Sequence, residues 1–356
     1  MKKFTRRDFT RLAAASGVAA VALPGARAFA NEPAKPDQIV VNASGGSMEE
    51  AMKTAFTSAY EERFGVRVLH TSPVDVGKLK AMVESGNVEW DVTELGAQEA
   101  VLAEREGLLE KMDFSIIDLS DFPEQAKKSE YWFSRSTYAT VMGYSTEAFP
   151  DKHPTTWAEF WDVETFPGPR TLRDHPVDNL EYALLADGVA PEDLYPLDVD
   201  RAFAKLDEIA PHIAAWWSSG QQPAQMLLDG EAVLASGWNG RFFTLIKDGA
   251  PVDIEWGQGA AKLSAFAIPK GAKNAYWGQK YLAVMTEPEL QAIYANMIGY
   301  PGLNINAFNY VDAELQPYLP THPDNLGKMF WTDDIWWADN QQAMVERWSA
   351  WKLAQQ

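Results

Sequence analysis

Apolar positions along this 356-residue chain recur with two spacings, one typical of buried strands and one typical of amphipathic helices. In the first third of the chain the two patterns alternate, and glycines such as Gly65 and Gly107 mark helix ends. The predicted elements are strands at 39–43, 66–69 and 90–95 and helices at 51–64, 78–84 and 97–106. This alternation predicts a parallel α/β sheet, in which ligands bind beyond the carboxyl ends of the strands.

The remainder of the chain continues the α/β pattern after a long extended segment at 131–144. The further predicted elements are helices at 157–161, 179–188 and 200–217, strands at 232–236 and 262–268, and a mostly helical tail ending in an amphipathic segment at 335–353. In this prediction Trp216 and Trp217 end the third of those helices. About 326 mature residues are more than one core comfortably holds, so two lobes are expected.

Two extended segments, near 141–145 and 266–270, divide the chain into three parts. We predict that residues 31–143 and 269–356 form one lobe and that residues 144–268 form the other. The expected fold class is therefore α/β, with two lobes joined by two hinge strands and a ligand cleft between them.

The first thirty residues have the pattern of an export signal. Basic residues precede a weakly apolar stretch at 12–23, which is shorter than the roughly 20 residues that span a bilayer. The small residues Ala28 and Ala30 stand where a signal peptidase cuts, and Arg6 and Arg7 give the twin-arginine form. We therefore expect cleavage after Ala30, export by the twin-arginine pathway, and an unanchored protein in the periplasm of a Gram-negative bacterium.

The mature chain is strongly acidic. Beyond residue 30 it has 25 lysines and arginines against 49 aspartates and glutamates, a formal charge near −24. Such a surface repels the phosphates of nucleic acids and anionic lipids, so we expect neither as a partner. The chain has no cysteine, which excludes disulfides and thiolate metal sites.

Three segments resemble the periplasmic spermidine/putrescine-binding proteins. They are MGYSTEAFP followed by PTTWAEFWDVETFPGPRTLR, then GEAVLASGWNGR, and finally FAIPKGAKN. The resemblance covers most of the mature chain in order. It implies a type II periplasmic binding protein, acting as a monomer without a cofactor, whose lobes close on a small solute. That solute would be delivered to the permease of an ABC transporter in the inner membrane.

The resemblance also implies a ligand stacked on aromatic rings, with a carboxylate at each ammonium group, but this chain departs from that pattern. Where relatives commonly have an acid, GWNGR has Arg241. Where they have a tryptophan and then an aspartate, this chain has Lys262 and Ser264. An arginine repels an ammonium group, whereas it forms two parallel hydrogen bonds with a carboxylate.

The departures favour a zwitterionic ligand, such as 4-aminobutyrate or an opine, over a plain polyamine. Glu181 matches the family glutamate that contacts an amine, so we expect Glu181 to bind the ammonium group and Arg241 the carboxylate. Two alternatives stay open at this point. Glu181 could instead be an acid at a helix start, and Arg241 a solvated surface cation. Spermidine or putrescine remains the alternative ligand.

Other candidate contacts come from strand ends and from family positions. The turn at 44–47 follows the first strand, where its amides could hold a polar group, although it could equally be a plain helix start. Trp238 matches a family residue that stacks on the ligand, and the segment around Tyr300 reaches the cleft in the family. The full set is Ser44, Gly45, Gly46, Ser47, Glu94, Gly96, Glu181, Trp217, Trp238, Arg241, Lys262, Ser264, Tyr300 and Asn304.

A secreted hydrolase is the competing class. It would need a nucleophile with a base, or a metal site. The five histidines are scattered without an HExxH motif, and the chain has no GxSxG elbow, P-loop or Rossmann glycine run. The histidine clusters and tyrosine pairs of metal-binding transport proteins are also missing. We therefore expect neither catalysis nor a bound metal.

Overall fold

The computed structural model describes residues 32–127 and 129–355, so the predicted export signal lies outside the described residues. From Lys35 onward the chain forms one compact unit. None of the described helices combines the length and the apolar character that a bilayer crossing requires.

Nine strands of the described chain form one mixed sheet. They are β1 (Gln38–Asn42), β2 (Arg67–Thr71), β3 (Val92–Gly96), β4 (Trp132–Ser145), β5 (Arg170–Arg173), β6 (Ile213–Trp217), β7 (Leu234–Trp238), β8 (Val252–Ala267) and β9 (Phe330–Trp331). Their order is β2-β1-β3-β8-β4-β7-β5-β6, with β9 paired to β8. β1 pairs parallel with β2 and β3, as the alternating pattern predicts. β5 also pairs parallel with β6 and β7.

The helices fill the connections between these strands. They are α1 (Ser47–Met52), α2 (Ser58–Phe64), α3 (Val76–Ser85), α4 (Ala97–Arg105), α5 (Trp157–Trp161), α6 (Pro176–Ala186), α7 (Val199–Ile209), α8 (Gln222–Leu228), α9 (Asn239–Lys247), α10 (Ala275–Val284), α11 (Pro288–Ile298), α12 (Pro323–Leu326) and α13 (Asp334–Ala354). A π-helical segment, Lys53–Thr57, joins α1 to α2 without a break. The helices α1 to α6 and α13 lie within a few residues of predicted helices, whereas α8 to α12 were not predicted individually.

Two long strands, β4 and β8, connect the two halves of the sheet. They pair antiparallel from Trp132 opposite Ala267 to Ser145 opposite Val252, with two register shifts on the way. At one end β8 also pairs with β3, and at the other β4 pairs with β7. β4 contains the first predicted hinge segment, 141–145, whereas β8 ends at Ala267 and overlaps only the start of the second, 266–270. The α/β fold class is confirmed.

The apolar side chains divide into separate clusters around this connection. The largest contains side chains from 39–133 and 263–303, including Phe56, Trp132 and Tyr281. A second contains side chains from 142–260, joined by Phe330, Trp337 and Trp348 of the tail. The lobe boundaries at 143/144 and 268/269 stay a prediction.

The C-terminal tail contributes to both cores, and its side chains up to Leu303 belong to the first. We assigned residues 269–356 to the lobe of the first segment. However, α13 places Trp337 and Trp348 in the core of the middle segment. The indole of Trp348 donates to Asp174, at 2.9 Å. On its other side α13 reaches the first segment, where Asp339 forms an exposed ion pair with Arg105.

The prediction that Trp216 and Trp217 end a helix is wrong. Helix α7 ends at Ile209, and both tryptophans lie on strand β6, which pairs parallel with β5. Pro211 explains the difference, because proline lacks the amide that would continue the helical hydrogen bonds. The apolar residues continue at helical spacing beyond Ile209, so the spacing alone does not show that the helix ends there.

Arg170 at the start of β5 is fully buried, with 1% of its surface exposed. Its guanidinium donates to the carbonyl oxygens of Phe160, Asp162, Phe166 and Gly168, the first at 2.7 Å. Arg170 therefore supplies hydrogen bonds to the carbonyl groups of the loop before β5. These bonds fix the start of the strand that ends at Arg173.

We expect Arg170→Met to destabilise the protein by about 3 kcal/mol, because it leaves several buried carbonyl groups without donors. Urea unfolding followed by circular dichroism measures the loss. Arg201→Met is the matched control, since Arg201 is exposed and pairs with Asp187 at the surface. Such surface pairs are worth less than about 1 kcal/mol. Equal losses in the two variants would contradict this account of Arg170.

Candidate functional site

A cavity of about 300 Å³ lies where β4 and β8 meet the ends of the parallel strands. β3, β5 and β7 each contribute residues from their carboxyl ends, the usual ligand position in such sheets. The predicted site residues that line it are Ser44, Glu94, Gly96, Trp238, Lys262, Ser264 and Tyr300. The lining residues that the sequence did not single out are Met48, Val74, Leu95, Gln98, Glu99, Ser136, Tyr138, Arg173, Val177 and Tyr294.

Glu94 is the first carboxylate of the cavity. It is 5% exposed. One of its oxygens accepts from the amide of Ser44 and the other from the hydroxyl of Ser264, both at 2.8 Å. These two donors fix the carboxylate, and each oxygen keeps a further lone pair for a ligand. The Ser44 amide that we expected to bind a ligand is thus used to hold Glu94.

Glu99 supplies a second carboxylate from the first turn of α4. The amide of Gly96 donates to it at 3.0 Å, which explains how Gly96 contributes to the site. Burial raises the pKa of Glu99, while the Gly96 hydrogen bond and the charge of Arg173 oppose the rise. Its position three residues beyond a strand end could have identified it from the sequence.

Arg173, the last residue of β5, is the cation that the sequence analysis missed. Its guanidinium lies 5.7 Å from the ring centre of Trp217 and 5.6 Å from that of Trp238. Among the described residues it makes neither a hydrogen bond nor an ion pair. A signal was available in the sequence, because Arg173 is a basic residue at the end of the short segment RTLR, which forms β5. This guanidinium is free to bind an anion.

Aromatic rings form much of the remaining wall. Tyr138 makes edge contacts with Trp238 and Tyr300, at ring-centre distances of 6.5 and 6.4 Å. The indole nitrogen of Trp238 and the hydroxyl of Tyr294 are buried without a hydrogen-bond partner in the described chain. A Cβ on Gly220 would lie 2.3 Å from the Trp238 ring, so only glycine permits this packing.

Lys262 lines the cavity, but its charge is already balanced. Its ammonium nitrogen lies 2.5 Å from one carboxylate oxygen of Asp178 and 2.6 Å from the other. It also contacts the hydroxyl of Thr140 at 3.2 Å. Burial lowers the pKa of Lys262, and the charge of Asp178 opposes this.

Glu181 does not line the cavity, contrary to our expectation for the amine-binding residue. It is fully buried within α6, where its carboxylate accepts from the hydroxyl of Tyr195 at 2.6 Å and the indole of Trp337 at 2.7 Å. Burial, with a contribution from the charge of Asp178, raises its pKa to about 7. Through its hydrogen bond with Trp337, Glu181 connects the C-terminal helix α13 to the second core.

Arg241 lies close to the cavity without lining it. Burial raises the pKa of Tyr300, and the neighbouring charge of Arg241 opposes that rise. The Nε atom of Arg241 is buried and has no partner in the described chain. Arg241 stands in the first turn of a helix, α9.

The other predicted contacts outside the cavity have structural roles. Trp217 is buried behind Trp238, with which it makes an edge contact, and its indole donates to the carbonyl of Ser236 at 2.9 Å. Asn304 is held by Thr286 and Gln291. Gly45, Gly46 and Ser47 form the entry to α1, where Gly46 adopts a φ of +68° that favours glycine.

Comparisons with known proteins agree with this architecture. The profile of a family described as bacterial extracellular solute-binding protein matches residues 51–321. A gamma-aminobutyric acid-binding protein of Pseudomonas aeruginosa is 33% identical over 89% of this chain and 92% of its own length. The spermidine/putrescine-binding periplasmic protein of Escherichia coli is 27% identical over 65% of this chain and 69% of its own.

Solved structures give the same result. An ABC transporter substrate-binding protein from Bradyrhizobium japonicum superimposes with a TM-score of 0.84, at 39% identity over 89% of this chain and 99% of its own. The Atu4243 GABA receptor superimposes with a TM-score of 0.83 and is 36% identical, over 88% of this chain and 97% of its own. The resemblance drawn from the sequence is confirmed. These proteins are binding components of transporters, which also agrees with the prediction that the chain is not an enzyme.

The raised pKa of Glu181 predicts a specific pH dependence of stability. Because its pKa rises from 4.5 to about 7 on folding, the folded protein binds this proton more tightly than the unfolded chain. The resulting stability is complete below about pH 4.5 and is lost as the pH rises through about 7. A shift of this size corresponds to about 3 kcal/mol.

We therefore expect Glu181→Gln, which keeps an acceptor for Tyr195 and Trp337, to gain stability relative to the natural protein between pH 5 and pH 8. Urea unfolding at both values measures the difference. Glu192→Gln, at an exposed position, serves as the control and should show no such trend. The prediction would be contradicted if the free energy of unfolding of Glu181→Gln differed from that of the natural protein by the same amount at pH 5 and pH 8.

Proposed function

The chain belongs to the bacterial extracellular solute-binding proteins, and on that premise we propose that its cavity binds a zwitterionic ω-amino acid such as 4-aminobutyrate. Proteins of this kind bind small solutes and deliver them to the permeases of ABC transporters. We further propose that the chain is exported by the twin-arginine pathway and acts as a monomer.

The observation that carries this proposal is an unbalanced pair of opposite charges in one cavity. The Arg173 guanidinium makes no hydrogen bond or ion pair in the described chain, although its charge acts on Glu99 through space. Glu94 and Glu99 present carboxylates to the same cavity. A charge in a poorly solvated cavity costs free energy unless an opposite charge reaches it. A ligand with one carboxylate and one ammonium group satisfies both ends. A ligand with only one of these groups would leave the opposite charge of the cavity without a partner.

Arg173 is suited to the carboxylate end of such a ligand. Two tryptophan rings, those of Trp217 and Trp238, contact the guanidinium and limit its movement. A guanidinium held in one plane can donate two parallel hydrogen bonds to a carboxylate. In this proposal Arg173 takes the role that we first gave to Arg241, which remains as a second positive charge behind Tyr300.

The ammonium end of the ligand would lie at Glu94 and Glu99. Ser44 and Ser264 fix the first carboxylate, so little side-chain entropy is lost when it binds a ligand. The neighbouring rings of Tyr138 and Trp238 offer π-faces that attract an alkylammonium group. These residues take the role that we first gave to Glu181.

The size of the cavity favours a small ligand. About 300 Å³ is at the lower end of the range for small-molecule sites. Relatives whose structures contain the opines agropinic acid and glucopine are 30% and 28% identical to this chain, so an opine remains the larger zwitterionic candidate. A polyamine is disfavoured, because Arg173 would repel one of its ammonium groups.

Titration of the purified mature protein tests the ligand class. We expect 4-aminobutyrate to raise the melting temperature, with a stabilisation of about 2.7 kcal/mol at 100 times its dissociation constant. Putrescine, spermidine and butyrate each lack one of the two charges and should have little effect. Glucopine tests the opine alternative. Stabilisation by putrescine but by no amino acid would refute the zwitterion proposal.

Substitution of the two arginines tests the carboxylate contact. We expect Arg173→Gln to weaken 4-aminobutyrate binding about 100-fold, since roughly 3 kcal/mol of charge-assisted hydrogen bonding is lost. Isothermal titration calorimetry measures the affinity. Arg241→Gln is the matched control and should lose less than tenfold. A larger loss in Arg241→Gln than in Arg173→Gln would instead assign the carboxylate to Arg241.

A further inference from the structure

The environment of the Lys262 ammonium group has the composition of a ligand site. Both carboxylate oxygens of Asp178 lie within 2.6 Å of it, and the hydroxyl of Thr140 is 3.2 Å away. The ring centre of Tyr138 is 5.9 Å from the same nitrogen. A carboxylate, a hydroxyl group and an aromatic face together are what a protein uses to bind an alkylammonium ion.

Asp178 is held in place by its own surroundings. It is 1% exposed, and the hydroxyl of Thr140 donates to its carboxylate at 3.0 Å. The hydroxyl of Tyr182 donates in turn to the Thr140 carbonyl at 2.8 Å. The backbone of Asp178 has φ 76° and ψ −45° within α6, a conformation that is costly for a residue other than glycine. Such a conformation persists only where the surrounding packing determines it.

Lys262 separates this anionic position from the cavity. Its side chain lines the cavity, and Tyr138 stands directly opposite it on the neighbouring strand β4. The atoms of a lysine side chain beyond Cβ are three methylene groups and an ammonium group, which together make a propylammonium ion. Truncation at Cβ therefore opens a space of that shape between the cavity and Asp178.

We propose that Lys262 is an internal substitute for a ligand ammonium group, and that by occupying the Asp178 position it makes the cavity reject diamines. This inference rests on the proposed function, because it explains why a cavity with carboxylates at one end would accept an amino acid and refuse a polyamine. The tethered ammonium group does not dissociate, so a free diamine cannot compete with it. Lys262 is thus a specificity-determining residue acting by exclusion.

Chemical rescue tests the inference without relying on the natural ligand. We expect Lys262→Ala to melt several degrees below the natural protein, because the variant leaves the Asp178 carboxylate buried and unpaired. Added n-propylammonium should restore most of that loss in Lys262→Ala and leave the natural protein unchanged. n-Propanol, a neutral molecule of similar shape, should not restore it. The double variant Lys262→Ala/Asp178→Asn, which lacks the anion, should not respond to either compound.

The outcomes separate the inference from a purely structural ion pair. If Lys262→Ala folds and propylammonium affects it no more than it affects the natural protein, the inference is overturned. If Lys262→Ala does not fold, refolding with propylammonium replaces the melting experiment. Recovery with the amine but not with propanol then supports the inference. Failure to recover, while the double variant folds, overturns it.

Putrescine binding gives a second measurement. We expect Lys262→Ala to bind putrescine at least tenfold more tightly than the natural protein does, with one amine at Asp178, and the double variant to lose this gain. Isothermal titration calorimetry measures both affinities. Rescue by propylammonium without a gain in putrescine binding would refute the exclusion role. If the natural protein binds neither 4-aminobutyrate nor any other zwitterion, the proposed function fails, while the propylammonium result still decides the role of Lys262.

Discussion

The antiparallel pairing of β4 with β8 is the constraint on which both the fold and the site depend. It joins the two halves of the sheet, and its register sets the cavity wall, with Ser136 opposite Ser264 and Tyr138 opposite Lys262. A slip of β8 by one residue would turn Lys262 and Ser264 away from the face that carries Ser136 and Tyr138. The same pairing brings the end of β3, with Glu94, beside Ser264. The β4–β8 pairing therefore fixes the positions of the parallel strand ends that line the cavity relative to one another.

The distribution of charge in the cavity follows from which groups find partners within the protein. Asp178 balances Lys262, and two serines hold Glu94 through neutral donors. The guanidinium of Arg173 makes no ion pair in the described chain and lies near the rings of Trp217 and Trp238. In the proposed mode of binding, a zwitterion complements a cavity that contains both an unpaired guanidinium and carboxylates. A plain diamine complements only half of it.

Much of the fold could be predicted from the sequence, because strand and helix periods depend on local alternation of apolar and polar residues. The prediction failed at Trp216 and Trp217, where a proline ends the helix earlier than the spacing suggests. Half of the predicted site residues line the cavity, mainly those at strand ends. Glu181 was misplaced, since a buried glutamate that accepts from two side chains has the same sequence signature as one that binds a ligand.

The sequence by itself determined the class of protein: an acidic, cysteine-free α/β chain with the segments of a solute-binding family. Those properties are local or compositional, so they can be read residue by residue. Only the tertiary structure decided which charges pair. Lys262 and Asp178 are 84 residues apart, and Glu94 and Ser264 are 170 apart, yet each pair is in hydrogen-bond contact. Coulomb energy depends on distance in space and on burial, and sequence separation determines neither.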